Sequence, residues 1–390
     1  MMAGMWDVVV VGAGPAGAAA ALGALAARPD ARVLLLDRAD FPRDKSCGDG
    51  IAPHALDVLA DLGVRGLVDD FRPVRRLRLG FADSSPVSGE MARPARVVPR
   101  SVLDARIVAA AVDRGAELRR HQVRSVECLA DRVLLDGSLG GALEGSLAAR
   151  VVVAADGADS VVRRQLGVPG APPGHVAVAI RGYAPVSAGR EDEQVITFAA
   201  QGWPAYAWSF PIGDGRANVG YGEVLVPGRP TTRAQLLSRL DALLPGSGEG
   251  GTAWRAHHLP LSSGRPRQPD GRVLLAGDAM SLINPLTGEG IYYAVLSGAL
   301  AGWAAVVAGD ASGDDPGAVY RDLLRRELGR HLRHTTLAAR LARHRRAVDA
   351  GVLAARRDGR VFDDLVELGL GRGLLTGRLL AGLGGGLLTR

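Results

Sequence analysis

The sequence predicts an α/β fold, α+β overall: a βαβ domain at the front, an antiparallel sheet inserted into it, and a helical C-terminal region. Three observations carry this. Val8 to Val11 form an apolar run that leads through a glycine-rich turn into an alanine-rich helix. Similar apolar runs recur at Val151–Ala155 and Arg272–Ala276, each followed by a turn and a helix. Between those two, residues 176–264 read mostly with the period of strands. Residues 1–75, 100–170 and 265–312 are assigned to the first domain, 76–99 and 171–264 to the sheet domain, and 313–390 to the helical region.

The first unit is the most specific. Four consecutive valines suit a strand buried on both faces. Gly12, Gly14 and Gly17, with Pro15 and Ala16 between them, match the G-x-G-x-x-G turn of a Rossmann-like domain. Gly12 permits the tight turn, Gly14 lets backbone approach a pyrophosphate, and Gly17 lets helix and strand pack closely. The pyrophosphate would sit at the helix N-terminus. A second strand, Arg32–Asp37, ends in a carboxylate placed to take ribose hydroxyls, with Arg38 beside it.

Composition narrows the class. The chain has 390 residues, enough for two domains, and 47% of them are hydrophobic, so disorder is not expected. Its formal charge is +6, with Lys45 as its single lysine. The basic residues are spread along the chain without a recognition motif, so nucleic acid is not expected as a partner. Cys47 and Cys128 are far apart and form no C-x-x-C, which argues against a disulfide framework or a zinc site and for a reducing cytoplasm. The start lacks the charged region and cleavage site of a signal peptide. Ile291–Gly309 is uncharged and long enough to span a bilayer, but its glycines and Ser297 favour a buried helix.

Next comes a loop, Arg38–Gly50, ending Cys47-Gly48-Asp49-Gly50, and a helix from Pro53 through Leu62. Cys47, beside a lysine and near a helix start, has two readings: a thiol of lowered pKa, or a small lining residue of a cofactor cleft. Strands are expected at Leu77–Phe81 and Ala95–Val98, then a helix from Val102 to Arg114 capped by Ser101. Arg100 just before it reaches either a cofactor phosphate or solvent. A strand through Val123 and a surface hairpin between Arg132 and Arg150 follow. The strand Val151–Ala155 meets Asp156 and Gly157; Arg272–Ala276 meets Gly277 and Asp278, then the turn Asn284–Ile291 with Pro285, Gly288 and Gly290. A carboxylate at a strand end suits a polyol, and a glycine-rich turn before a helix offers N–H groups to an electron-rich ring edge.

In the inserted region, strands are read at 176–180, 194–198, 205–210 and 217–224, then a helix from Arg233 to Leu244. Tyr206, Trp208 and Phe210 alternate along one strand and so share a face. Five of the chain's 17 aromatic residues, Trp203 among them, fall between Phe198 and Phe210. Such a wall suits a long apolar ligand as well as plain core packing. From Pro316 the chain reads as helices; His331, His334 and His344 on a strongly basic stretch are expected on a solvated face rather than at a metal. The tail from Val361 to Arg390 reads either as a cap on the core or as a lid or peripheral membrane contact.

Together, the turn at Gly12–Gly17, Asp156-Gly157, and Gly277-Asp278 with its following glycines resemble the flavoprotein superfamily of aromatic hydroxylases, halogenases and geranylgeranyl reductases. The Cys47 loop and the signature Tyr206-x-Trp208-x-Phe210-Pro211, with a spaced Gly220-x-Gly222, resemble the geranylgeranyl reductases. The resemblance implies FAD as cofactor. Its ADP part would lie on Gly12–Gly17, the ribityl chain on Asp278, and the isoalloxazine on the turn Pro285–Ile291. Asp156 and Gly157 would act near the pyrophosphate, Gly48 and Gly50 would lie on the flavin side, and Arg100 and Val123 are further cofactor-side positions. The implied reaction is saturation of carbon–carbon double bonds in a prenyl or similar apolar chain. Electrons would come from NAD(P)H or a ferredoxin-like donor that docks transiently. Cys47 and Tyr206 are the titratable candidates on the substrate side. Two alternatives are a monooxygenase on the same fold and a flavin-binding protein without turnover. A halogenase fits less well, because Lys45 lies in the flavin-side loop.

Overall fold

The computed structural model describes residues 5–139, 142–199, 204–228, 231–308 and 313–388. Elements run β1 (Trp6–Val11), α1 (Pro15–Ala27), β2 (Val33–Asp37), β3 (Gly50–Ile51), α2 (Pro53–Asp61), β4 (Val74–Phe81), β5 (Val87–Val97), α3 (Arg100–Asp113), β6 (Glu117–Arg120), β7 (Gln122–Cys128), β8 (Val133–Leu139), β9 (Ala142–Ala154) and α4 (Val161–Gln165). Then come β10 (Val176–Pro185), β11 (Glu193–Phe198), β12 (Ala205–Pro211), β13 (Arg216–Val224), α5 (Arg233–Leu243), β14 (Thr252–Pro260) and β15 (Val273–Leu275). The rest is helical: α6 (Ile291–Val307), α7 (Pro316–Glu327), α8 (Gly329–Leu341), α9 (Arg345–Arg357), α10 (Gly359–Leu370) and α11 (Gly377–Leu388).

The valine run becomes the middle of a seven-stranded sheet. β1 pairs in parallel with β2 on one side and β9 on the other, Val10 facing Leu35 and Val153. β6 and β15 extend this parallel core, and β7 and β8 join it through the antiparallel first half of β9. Strands covered on both faces need apolar side chains throughout, and Val8, Val9, Val10, Leu34, Leu35 and Leu36 have no exposed surface. Helices α1 and α6 cover the sheet and approach backbone to backbone. A Cβ at Gly298 would stand 2.0 Å from the Ala16 carbonyl oxygen, and one at Gly302 would stand 1.9 Å from that of Ala20.

The second sheet has eight strands in the order β14-β10-β13-β12-β11-β4-β5-β3. β10 to β13 match the strands read from the alternation. β14 has no such pattern: Thr252, Ala253, Arg255, Ala256 and His258 are exposed, as befits an edge strand. The C-terminal helices α9 and α10 pack on the opposite end of this sheet, where Phe362 and Leu368 share an apolar cluster with Leu77, Val87 and Met91.

Some local expectations change. α3 begins at Arg100 with Pro99 at its N-cap, so Ser101 lies in the first turn and caps nothing. His331 is not on a solvated face: it is buried, its Nε2 2.7 Å from the Tyr293 hydroxyl and its Nδ1 2.7 Å from the Gly373 carbonyl. The basic stretch falls on three helices, as the reading of helices from Pro316 allows, with breaks around Leu328 and at residues 342–344. Trp203 and Gly309 lie outside the described residues.

Gly302→Ala adds a methyl group where α6 meets backbone. Alanine favours a helix by ~1 kcal/mol, yet the forced separation costs about 1–3 kcal/mol and spreads into the core. The variant should melt at least ~3 °C below the wild type by differential scanning calorimetry. An equal or higher melting temperature would show that the two helices part without loss.

Candidate active site

The site starts at the carboxyl end of β1. Gly12 has φ +96°, and a Cβ there would stand 2.4 Å from the Ala155 carbonyl oxygen; one at Gly17 would stand 1.8 Å from the Gly12 oxygen. Both glycines therefore shape the turn. Gly14 is different. A Cβ there would meet nothing nearer than Arg43 Nη2 at 3.6 Å and Arg100 Nη2 at 4.0 Å. Backbone thus faces open space ringed by guanidinium groups, a setting suited to a pyrophosphate.

Asp37 closes the turn from below. Its Oδ2 accepts the Ala13 N–H at 2.9 Å and its Oδ1 accepts the Ala39 N–H at 3.0 Å. Arg43 bridges Asp37 and Asp104, 3.3 Å from each. Arg100 is buried rather than solvated and makes a bidentate pair with Asp104 at 2.6 and 2.8 Å. Arg38 is exposed, Val123 is a buried core residue of β7, and neither lines the cavity described below.

The later motifs meet this turn. Asp156 accepts from the Ser160 hydroxyl at 2.5 Å and from the N–H groups of Val161 and Val162, so its carboxylate caps α4. Gly157, with φ +85°, lines the cavity. Gly277 donates its N–H to Ser297 Oγ at 3.0 Å and leaves Asp278 facing Lys45 Nζ at 3.1 Å. Burial opposes ionisation of Asp278, but Lys45, with His257 and Arg100, holds its carboxyl below the ordinary range. The turn after it is pinned from both sides. Tyr206 donates its hydroxyl proton to the Thr287 carbonyl at 2.5 Å, and Thr287 Oγ1 donates to the Gly369 carbonyl at 2.7 Å. Glu289 accepts the Tyr292 N–H at 2.9 Å, at the start of α6.

These pieces line one cavity of about 370 Å³. It runs from Gly14–Ala16 past Cys47–Ile51, Asp278 and Pro285–Ile291 to Tyr206, Trp208 and Phe210, whose neighbouring rings lie 5.9 and 6.4 Å apart. It continues between apolar side chains of the C-terminal helices, among them Leu341, Val352, Leu379 and Leu383. The tail is therefore part of the cavity wall. Burial pushes the Cys47 thiol up despite nearby Arg100, so it stays protonated, and burial likewise raises the Tyr206 phenol. A lowered thiol pKa does not apply here.

Several residues of the site went unread in the sequence. Asn218 accepts from Trp208 Nε1 at 2.9 Å and donates to the Cys47 carbonyl and to Asp49 Oδ2, each at 2.8 Å. Asp49 also accepts the Tyr183 hydroxyl at 2.6 Å; burial raises its carboxyl to about 6. Buried Arg181 is bonded to Asp44 and to the Lys45 carbonyl. Asp49 and Glu289 lie within glycine-rich motifs in which the glycines carry the recognisable signal. Asn218 and Arg181 carry no local signal for the site, since their partners in the cysteine loop lie more than 130 residues away.

The residues present fit FAD. Open backbone at Gly14 faces two arginines, an ionised Asp278 ends a parallel strand, and a glycine turn opens α6 beside an apolar cavity. A family described as FAD binding domain matches residues 5–205. The chain is 35% identical to a menaquinone reductase of Mycolicibacterium smegmatis over 76% of its own length and 75% of that protein. It is 36% identical to a digeranylgeranylglycerophospholipid reductase of Methanopyrus kandleri, over 78% and 81% respectively. The fold is shared with a geranylgeranyl bacteriochlorophyll reductase-like protein of Thermoplasma acidophilum: TM-score 0.81, 20% identity, 97% of this chain and 96% of that one. The chain belongs to the geranylgeranyl reductase family of FAD-dependent oxidoreductases.

Gly14→Val tests the cofactor placement. The backbone there is not in the left-handed region and the added atoms meet no backbone, so the fold should hold. The variant should keep the circular dichroism of the wild type and purify colourless, with FAD affinity lowered at least ~100-fold. A yellow, stoichiometrically loaded variant would move the pyrophosphate elsewhere.

Proposed function

We propose that the protein saturates carbon–carbon double bonds of a prenyl or similarly apolar chain, by hydride transfer from reduced FAD. One observation carries this reading: the cavity that begins at the cofactor cradle continues, past three aromatic rings, into a leucine-lined space between the C-terminal helices. A long chain laid there would present a double bond beside the turn Pro285–Ile291. The names of the relatives support a prenylated substrate, since the reductases of both organisms are named for menaquinone or a digeranylgeranyl lipid. FAD, once reduced, would supply the hydride, and NAD(P)H or a ferredoxin-like protein would reduce it while docked transiently.

The chain's own residues do the positioning. Tyr206 holds the Thr287 carbonyl and so fixes the turn, which makes it a positioning residue rather than a proton source. Cys47 offers a neutral thiol among the lining residues. Apolar side chains keep water from the reacting carbons, which favours hydride transfer over loss of electrons to solvent or oxygen.

Substrates of this kind lie in membranes. Among the described residues no helix is long and apolar enough to cross one. The exposed face of α8 offers surface contact instead. Arg330, Arg333, Leu337, Arg340 and Leu341 fall on that face, and Leu341 also lines the cavity. No acidic residue occurs from Leu328 to Val348. We assign this face to an anionic bilayer, which would set the cavity mouth on the lipid.

Two measurements check these assignments. Chemically reduced enzyme, mixed without oxygen with geranylgeranyl diphosphate or a prenylated quinone, should reoxidise and yield a product two hydrogens heavier. Flavin that stays reduced until oxygen enters, then yields a hydroxylated product, would establish the monooxygenase instead. The wild type should co-sediment with phosphatidylglycerol vesicles and not with phosphatidylcholine. At ~1 kcal/mol per charge, Arg333→Glu with Arg340→Glu should weaken this at least tenfold; unchanged binding would remove α8 from the contact.

A further inference from the structure

We propose that Glu289 is the general acid that protonates the double bond, resting on the reductase function proposed above. Glu289 is one of the residues that line the cavity, between Gly288 and Gly290 in the turn that opens α6. Its Oε1 is fixed by the Tyr292 N–H at 2.9 Å, so the group is oriented rather than free.

An isolated alkene requires such a group. Reduced FAD, when bound, would supply a hydride to one carbon as the π bond breaks, and the second carbon must then take a proton. The Glu289 proton forms that second bond, its carboxylate is left behind, and water restores the proton after release of product. The chain gains two hydrogens: one as hydride, with two electrons, from the cofactor, and one as a proton drawn in the end from solvent.

Of the other groups in the cavity, the Asp49 carboxyl, raised to about 6, is held by Tyr183 and Asn218, and Tyr206 and Cys47 are weaker acids. Tyr206 has its proton on the Thr287 carbonyl, and Cys47 is raised above an already high thiol value. Burial raises the Glu289 carboxyl to about 7, even though the N–H groups of Tyr292 and Ile291 pull the other way. A general acid works best with its pKa near the working pH. The charged and titratable groups whose fields couple to it are Arg100 at the start of α3, His54 on α2, Cys47 in its loop, Tyr206 on β12, and Tyr293 on α6. Arg100 and His54 oppose the rise; Arg100 is already paired with Asp104, and His54 is 3.1 Å from the half-exposed Glu367. The remaining His54 nitrogen, Nδ1, is buried and has no partner among the described residues.

Infrared difference titration needs no cofactor and reads the acid directly. The apoprotein should lose a protonated-carboxyl band as pH rises through about 7, and Glu289→Gln should remove that band while keeping the one from Asp49. In anaerobic single turnovers with geranylgeranyl diphosphate, wild-type flavin reoxidation should fall as pH rises through the same value. Glu289→Gln should be at least ~100-fold slower, with a rate flat in pH and FAD affinity within a few-fold of wild type. Glu289→Asp should keep the pH dependence and lose rate, because its acid is intact but shorter. An infrared band retained by Glu289→Gln would overturn the proposal. So would a Gln variant that reoxidises within threefold of wild type with the same pH profile. A wild type that reduces no double bond overturns the reductase reading, and this assignment falls with it.

Discussion

The close approach of α1 to α6 is the constraint on which the cofactor cradle depends. The N-terminus of α1 follows Gly14, whose open backbone faces Arg43 and Arg100, and the start of α6 carries the turn with Glu289. Their separation is set by contacts in which a carbonyl takes the place of a side chain: Ala16 against Gly298, Ala20 against Gly302, and Ala299 against Gly23. Gly277 belongs to the same set, since a Cβ there would press on Ala16 Cβ at 3.1 Å. A side chain at any of these positions moves one half of the cradle relative to the other. The alanine-rich composition of α1 follows from this: it is a helix packed on nearly every face, with its first eleven residues buried.

The loop that crosses from this cradle to the second sheet has no regular structure of its own, so it is held by buried polar groups instead. Asn218 on β13 ties the Cys47 carbonyl and Asp49 to Trp208, while Arg181 on β10 ties Asp44 and the Lys45 carbonyl. Removing one partner of such a buried pair leaves an uncompensated charge and costs about 3–5 kcal/mol, more than any single exposed ion pair contributes. These bonds keep Lys45 within reach of Asp278 and keep the cysteine loop against the aromatic strand. The two sheets thus meet through hydrogen bonds at the cavity as well as through apolar packing at its far end.

Glycines and valines made the first sheet legible, because a buried parallel core demands apolar runs and tight turns that few other folds share. The aromatic strand was equally legible from the alternation of Tyr206, Trp208 and Phe210. What the sequence hid was long-range. Arg100 could be read as a phosphate ligand or a solvated residue, and only the position of Asp104 one turn on, inside the core, shows that it is buried and paired. His331 sat in a basic stretch and looked exposed, yet Tyr293 and the Gly373 carbonyl surround it. Asp156 looked like a cofactor ligand at a strand end, and its neighbours Ser160 to Val162 make it a helix cap. His331 was decided by partners distant in sequence, Asp156 largely by backbone N–H groups, and Arg100 by the burial of a neighbour one turn on, and none of these leaves a residue pattern.

Four carboxyls border the cavity and the protein treats them differently; Glu223 is ion-paired with Arg239. Asp278 has a direct cation in Lys45 and stays ionised against its burial. Asp49 and Glu289 are equally enclosed but face hydrogen-bond donors that carry no charge: Tyr183 and Asn218 for one, the N-terminal turn of α6 for the other. Neutral donors offset only part of the desolvation of a carboxylate, so both are pushed up toward neutrality. Arg43 and Arg100 are turned to Asp37 and Asp104 beneath the glycine turn, Arg181 is tied to Asp44, and Arg239 to Glu223. Each of these cations thus has a carboxylate partner, and the end between the C-terminal helices is lined by apolar side chains alone. An apolar chain could enter that end without desolvating a charge, and on the reading proposed above a proton would be held in the turn that opens α6.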